Sequence, residues 1–158
     1  TAKLPSLYVW IAGDGPLEAE LKAQCTSLGL DDRVRFLGWR NDRGALLAAC
    51  NIVAFPSRYE PFGTVTVDAW AAKKPLVAAD AVGPAAYVKN EENGLLIPKN
   101  DVDALANAMR RVIEEPGLAQ KIVDGGTASY NAQFTKEVFV RDSLAFYTMV
   151  RDYAGPIG

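Results

Sequence analysis

"NIVAFPSRYEPFGTVTVDAWAAKKPLVAAD", Asn51 to Asp80, reads as strand, loop, helix and strand in thirty residues. "NIVAFPS" is a short apolar run stopped by proline and serine, "TVTVDAWAAK" carries the helix, and "PLVAAD" is a second apolar run closed by an acid. Continuous apolar runs of this length suit strands covered on both faces of a parallel sheet. Two of them joined through a helix make a right-handed crossover.

The same alternation extends in both directions. "LYVWIAG", Leu7 to Gly13, is a β-branched and aromatic run ended by glycine, which predicts a strand covered on both faces. A helix follows, with Pro16 in its first turn, Leu17, Leu21 and Leu28 at near-helical spacing, and Gly29 as its stop. "RVRFLG" is then a strand, "RGALLAAC" a helix, and "GLLIP" the last strand. Beyond about residue 100 only helices are expected. Val102, Leu105, Ala106, Met109 and Ile113 mark an amphipathic one, Pro116 to Asp124 a shorter one, and "KEVFVRDSLAFYTMVRDY" a long closing one with Phe139, Val140, Leu144, Tyr147 and Val150. The prediction is α/β: one domain over residues 1–158 with a doubly wound, mostly parallel Rossmann-like sheet.

Composition narrows the function classes. The 158 residues are 49% hydrophobic and 23% charged with a formal net charge of -2, which gives no basic bias toward nucleic acid. Asp14, Asn51, Arg58 and Asp80 interrupt the apolar stretches before any reaches membrane-spanning length, and nothing at Thr1 resembles a signal peptide. The expectation is a cytoplasmic protein. Cys25 and Cys50 lack metal-ligand spacing and are expected as reduced thiols. No metal cluster is legible, and the absence of histidine removes the commonest general base from this chain.

In open sheets of this kind ligands bind beyond the carboxyl ends of the strands. Those positions are Gly13 to Gly15, Gly38, Pro56 to Gly63, and Asp80 to Pro84. "GDGP", Gly13 to Pro16, would let backbone approach a ligand, and equally makes a tight turn before a proline-started helix. The third glycine of a dinucleotide fingerprint is absent, since Leu17 and Glu18 follow the proline, so nicotinamide cofactors lose ground.

"EPFGTVTVDAW" has elements that support one another. Pro61 fixes the backbone after Glu60, Gly63 permits a tight entry, and a helix opening near Thr64 offers free N–H groups to a phosphate. Glu60 before the helix and Asp68 a turn into it can accept hydrogen bonds from hydroxyl-rich groups on either side. Hydroxyls, phosphate, hydroxyls is the order in a nucleotide sugar. The plainer alternative has Glu60 capping the helix and Asp68 as a solvated helical residue.

The runs "IAGDGPLEAEL", "VRFLGW", "FPSRYEPFGTVTVDAWAAKKPLVAAD" and "NGLLIPKND" resemble the carboxyl-terminal, donor-binding domain of retaining glycosyltransferases of the GT-B fold (glycosyl transferases group 1, family four). That group includes bacterial lipopolysaccharide and mannosyl transferases and sucrose synthase-like enzymes. The family signature of Glu, seven residues, Glu is matched by Glu60, Pro61, Phe62, Gly63, Asp68 and Ala69. The resemblance implies that Glu60 contacts the hydroxyls of the donor sugar as the catalytic-site acid. It implies that Phe62, Gly63 and Thr64 meet sugar and diphosphate through their backbone, with Pro61 shaping that turn, and that Asp68 holds the ribose. Gly13 and Gly15 match a glycine turn near the donor, the backbone from Arg35 to Leu37 matches the segment beside the base, and Arg58 is a candidate electrostatic helper.

The implied reaction is transfer of a sugar from a nucleoside diphosphate to a hydroxyl acceptor with retention, using no cofactor or protein-bound metal. A non-catalytic nucleotide or nucleotide-sugar binding domain is the alternative, and an epimerase of the same fold a third. Two departures stand out: Asp68 replaces the second Glu, and "AVGPAAYV" puts Val82 and Ala86 where the family commonly has Gly and Glu. The resemblance further implies that the chain lacks its first strand–helix unit and an amino-terminal acceptor domain, which would bring a sugar, lipid-linked or other hydroxyl acceptor. A peripheral place at the inner membrane is then open to the full-length protein. The absent strand would lie between those at Leu7 to Ala12 and Ile52 to Phe55, so direct pairing of these two, or a segment borrowed from another copy, is expected. Self-association through Phe139, Phe146 and Tyr147 is expected as well.

Overall fold

The computed structural model describes residues 7–154; Thr1, where a leader was sought, lies outside the described residues. The elements are β1 (Val9–Ala12), α1 (Glu18–Ser27), β2 (Val34–Gly38), α2 (Arg43–Ala49), β3 (Val53–Phe55), α3 (Thr64–Ala71), β4 (Leu76–Ala79), α4 (Val82–Tyr87), β5 (Leu95–Ile97), α5 (Val102–Glu114), α6 (Leu118–Gln133) and α7 (Lys136–Ala154). The chain divides into two compact units between Arg43 and Gly44.

In the first unit β1 and β2 pair in parallel, Val9 opposite Val34 and Ile11 opposite Phe36, with a register shift before Ala12 meets Gly38. α1 makes the crossover, and Gly29 ends it in the left-handed region at φ 65°, as a glycine stop does. Pro16 falls in the turn just before α1 rather than inside it. All four residues of β1 are exposed, whereas the apolar run predicted burial on both faces. One ten-residue helix cannot cover both faces of a two-stranded sheet, so pairing is satisfied while burial is not.

The second unit holds β3, β4 and β5 in that order, all parallel. β4 is central, and its four residues are at most 2% exposed. Alternation along the strand sends Val77 and Ala79 to a core with Leu95, Ile97, Ala108, Val112, Leu118 and Ile122. It sends Leu76 and Ala78 to a second core with Val53, Ala69, Trp70 and Val88. Helices therefore cover both faces, α5 and α6 on one and α3 on the other, which is the doubly wound arrangement predicted. The buried face of α5 is only partly the one read: Leu105 and Met109 pack against the core beside buried Ala108 and Val112, whereas Val102, Ala106 and Ile113 are exposed. Asp101 caps the helix by accepting from the Ala104 N–H at 2.8 Å.

Two expectations are corrected. The strands form two separate sheets, β1–β2 and β3–β4–β5, so the direct pairing foreseen between the strands at Leu7 to Ala12 and Ile52 to Phe55 is not made. Each finds its one parallel partner in its own unit and presents its other edge unpaired among the described residues. The short helix expected over Pro116 to Asp124 is sixteen residues long and runs to Gln133. Its glycines look like breakers but permit close packing: a Cβ at Gly125 would collide with the Glu92 carbonyl and one at Gly126 with the Trp70 ring. After β4, "VGPAAY" forms the short helix α4, with Gly83 and Pro84 buried.

Candidate functional site

β3 ends at Phe55, and the chain crosses an exposed stretch including Arg58 and Tyr59 before reaching Glu60. Pro61 then holds φ near its fixed value. Gly63 has φ 82°, a left-handed conformation that sets the entry to α3 and that L side chains rarely adopt. A Cβ there would also lie 3.2 Å from the Pro84 ring. Gly63 supplies no capping side chain, and the first intrahelical bond runs from the Thr66 N–H to the Gly63 carbonyl at 2.9 Å. The N–H groups of Thr64 and Val65 precede that bond, so the amino end of α3 carries donors and the positive end of the helix dipole.

Glu60 turns back onto this entry. Its Oε1 accepts from the Gly63 N–H at 2.9 Å and, at longer range, from the Phe62 N–H at 3.4 Å. Of the two sequence readings, helix capping therefore describes the contact Glu60 makes in this conformation. Asp68 is half-buried rather than solvated. It lies four positions after the exposed Thr64, on the same helical face, and the tilt of helical side chains leans it toward the amino end of α3.

α4 braces the loop from the side. The Gly83 N–H donates to the Glu60 carbonyl at 2.8 Å, and a Cβ at Gly83 would collide with the Phe62 main chain. At the other end of α4 the Tyr87 ring lies 5.7 Å from Phe62, 6.0 Å from Trp70 and 5.5 Å from Phe134. The Tyr87 hydroxyl is closed to solvent and has no hydrogen-bond partner among the described residues. Burial, and next the charge of Glu60, push its pKa above the ordinary tyrosine value. Val82 and Ala86, the departures from the family pattern, are exposed.

The aromatic cluster is anchored through Asn93, which is 4% exposed. Its carbonyl accepts from Trp70 Nε1 at 2.7 Å, its Oδ1 accepts from the Lys89 N–H at 2.7 Å, and its Nδ2 donates to the Tyr87 carbonyl and to Ser129 Oγ. Glu60, Pro61, Phe62 and Gly63 thus form one braced turn, and Thr64 and Asp68 lie on the helix α3 that it opens. Sequence reading missed Tyr87 and Asn93. The signals were an aromatic residue closing "GPAAY" and an asparagine set between charged residues and glycine.

Gly13 and Gly15 belong to the first unit. Gly13 has φ 128° and donates to the Gly38 carbonyl at 2.8 Å, while the Gly15 carbonyl accepts the Glu18 N–H at 3.1 Å. A Cβ at either glycine would meet no heavy atom within 4 Å among the described residues, so this backbone faces open space. Arg35 sends Nη1 back to the Asp31 carbonyl at 2.8 Å, toward the amino end of β2. A hollow of ≈ 320 Å³ bordered by Lys22, Cys25, Asp31 and Arg35 lies at that same end, opposite to where parallel strands present ligands.

The parallel sheets and helical layers match GT-B glycosyltransferase structures: HepE of Anabaena, solved in complex with UDP-glucose, superposes with a TM-score of 0.82 at 35% identity over 92% of this chain and 41% of that one. HepE was also solved in complex with UDP. The chain belongs to the glycosyl transferases group 1 family, whose model matches residues 1–128. It is 33% identical over 136 residues to the lipopolysaccharide core biosynthesis glycosyltransferase LpsE of Rhizobium meliloti, covering 86% of this chain and 40% of LpsE. The chain thus spans about 40% of the length of that relative.

Proposed function

We propose that this chain is the donor-binding part of a retaining glycosyltransferase that takes a nucleoside-diphosphate sugar, a UDP-sugar first, and passes the sugar to a hydroxyl acceptor. The observation that carries the reading is the turn Glu60 to Gly63, where a carboxylate, two backbone N–H groups and the open end of α3 converge. In this reading Glu60 accepts hydrogen bonds from the sugar hydroxyls, and the backbone of Phe62, Gly63 and Thr64 meets sugar and diphosphate. Asp68 holds the ribose, and Gly13 and Gly15 give close backbone approach. Developing charge on the leaving diphosphate is stabilised by N–H groups, the α3 dipole and cations such as Arg58, with no resident cofactor or metal.

The remaining length of relatives such as LpsE is where the reading puts an acceptor domain and a further strand–helix unit. A sugar or lipid-linked acceptor would bind there, in the cytoplasm or at the inner face of the membrane. Alone, the chain should bind donor weakly and transfer nothing. Exposed Phe139, Phe146 and Tyr147 on α7 would favour self-association of the isolated chain, measurable by sedimentation. Asp68, one methylene shorter than the family's Glu, favours a second reading as a nucleotide-sugar binding domain without chemistry.

Titration calorimetry with UDP and UDP-glucose, together with donor hydrolysis and transfer by the full-length protein, tests both. Binding with transfer supports the first reading, and binding without either reaction supports the second. Silence toward uridine, guanosine and adenosine diphosphates alike would refute the nucleotide-sugar site.

A further inference from the structure

We propose that the Tyr87 hydroxyl is a positioning group for Glu60, becoming its hydrogen-bond donor when a nucleotide sugar occupies the amino end of α3. The inference rests on the donor-binding reading above and names a residue outside the family signature.

The first observation is a polar atom without a structural use. Tyr87 Oη is closed to solvent and has no hydrogen-bond partner among the described residues. Leaving a buried hydroxyl unsatisfied is unfavourable, and folded proteins seldom do so without a reason. Phenylalanine would make the same ring contacts with Phe62, Trp70 and Phe134 and avoid that loss. In the conformation described, the hydroxyl contributes nothing that the ring does not.

The second observation is its location. α4 is tied to Glu60 at its start, through the Gly83 N–H on the Glu60 carbonyl, and reaches Phe62 at its end, through the Tyr87 ring 5.7 Å away. The charge of Glu60 acts on the phenol and, with burial, raises its pKa. Tyr87 therefore stays protonated at neutral pH and is able to donate.

The third is the competition for backbone donors. Glu60 Oε1 now occupies the N–H groups of Phe62 and Gly63, the groups assigned above to sugar and diphosphate. A donor that claims them leaves the carboxylate short of hydrogen bonds. Rotation of the Glu60 side chain toward Tyr87 restores one and leaves the second oxygen for the sugar hydroxyls. Only hydrogen bonds are exchanged; no proton changes its owner.

The test uses the full-length protein with UDP-glucose and compares wild type, Tyr87→Phe, Glu60→Gln and the double variant. Tyr87→Phe should lower kcat about tenfold to a hundredfold, the range expected for one charged hydrogen bond. Its Kd for UDP should stay within about twofold of wild type, and its melting temperature should not fall. The double variant should be no slower than Glu60→Gln alone, because Tyr87 acts through Glu60. Unchanged kcat in Tyr87→Phe, losses of kcat, UDP affinity and melting temperature together, or an additive double variant each overturn the proposal. A wild type that binds UDP but transfers nothing overturns the transferase reading and the Tyr87 proposal with it, whereas an active wild type with an equally active Tyr87→Phe overturns the Tyr87 proposal alone.

Discussion

Trp70 Nε1 donates to the carbonyl of Asn93 at 2.7 Å, across 23 positions of sequence, and both residues are at most 4% exposed. The contact joins the helix that opens at the candidate site to the turn before β5, and Asn93 Nδ2 carries it on to Ser129 of α6 at 2.9 Å. Buried polar groups stabilise only when every partner is present. Here they are, and the site helix is held from behind by a closed network.

Asn93→Ala should therefore be among the more damaging single substitutions in the second unit. It strips acceptors or donors from the Lys89 N–H, the Tyr87 carbonyl and Ser129 Oγ together. A loss of roughly 2–4 kcal/mol is expected from stranded buried groups, read as a lower urea midpoint. A change under about 0.5 kcal/mol, the level of ordinary surface substitutions, would show that the network is not supporting the fold.

Two glycine-to-alanine substitutions should move stability in opposite directions. Gly126→Ala gains helix propensity but drives a methyl into the Trp70 ring, for a net loss of about 1–3 kcal/mol. Gly44→Ala, in α2 with nothing within 4 Å of the new methyl among the described residues, should gain up to about 1 kcal/mol. Denaturant curves of both variants decide the matter, and equal shifts of the same sign would contradict the packing account of α6.

The two acids of the signature should separate binding from transfer. Glu60→Gln keeps an oxygen able to accept from the Gly63 N–H, so the fold and UDP affinity should hold while transfer by the full-length protein falls. Asp68→Asn should chiefly weaken nucleotide binding. Each loss is expected at about 1.5–3 kcal/mol, roughly tenfold to a hundredfold. Equal effects of both on UDP affinity would show that the roles are wrongly divided.

Alkaline pH should destabilise the second unit. Burial raises Cys50 above its ordinary value of 9.0, and burial and then Glu60 raise Tyr87 above 10.0. Both folded pKa values exceed the unfolded ones, so the stability they contribute is fully present below about pH 9 and is lost as pH rises through the folded values. Urea midpoints measured upward from pH 8 should fall beyond about pH 9, and Cys50→Ala should flatten the first part of that fall. An unchanged slope in Cys50→Ala would remove the thiol from the explanation.

The amino-acid sequence by itself determined the order of strands and helices, the parallel α/β class and the signature turn. Each of these depends on short-range chemistry: apolar runs of strand length, "EPFG" opening α3, and glycine where φ is positive. Glu60, Pro61, Phe62, Gly63, Thr64 and Asp68 could be singled out because they are neighbours along the chain. Tertiary structure decided what depends on distant partners. α6 continues through Gly125 and Gly126 because the Glu92 carbonyl and the Trp70 ring come close enough to need glycine there, a requirement invisible to local propensity. β1 is exposed although it reads as buried, because burial depends on what covers a strand and not on the strand's own composition. Tyr87 and Asn93 enter the site for the same reason: their partners, Phe62 and Trp70, lie more than twenty residues away and meet them only once the β3–β4–β5 sheet and its helices have assembled.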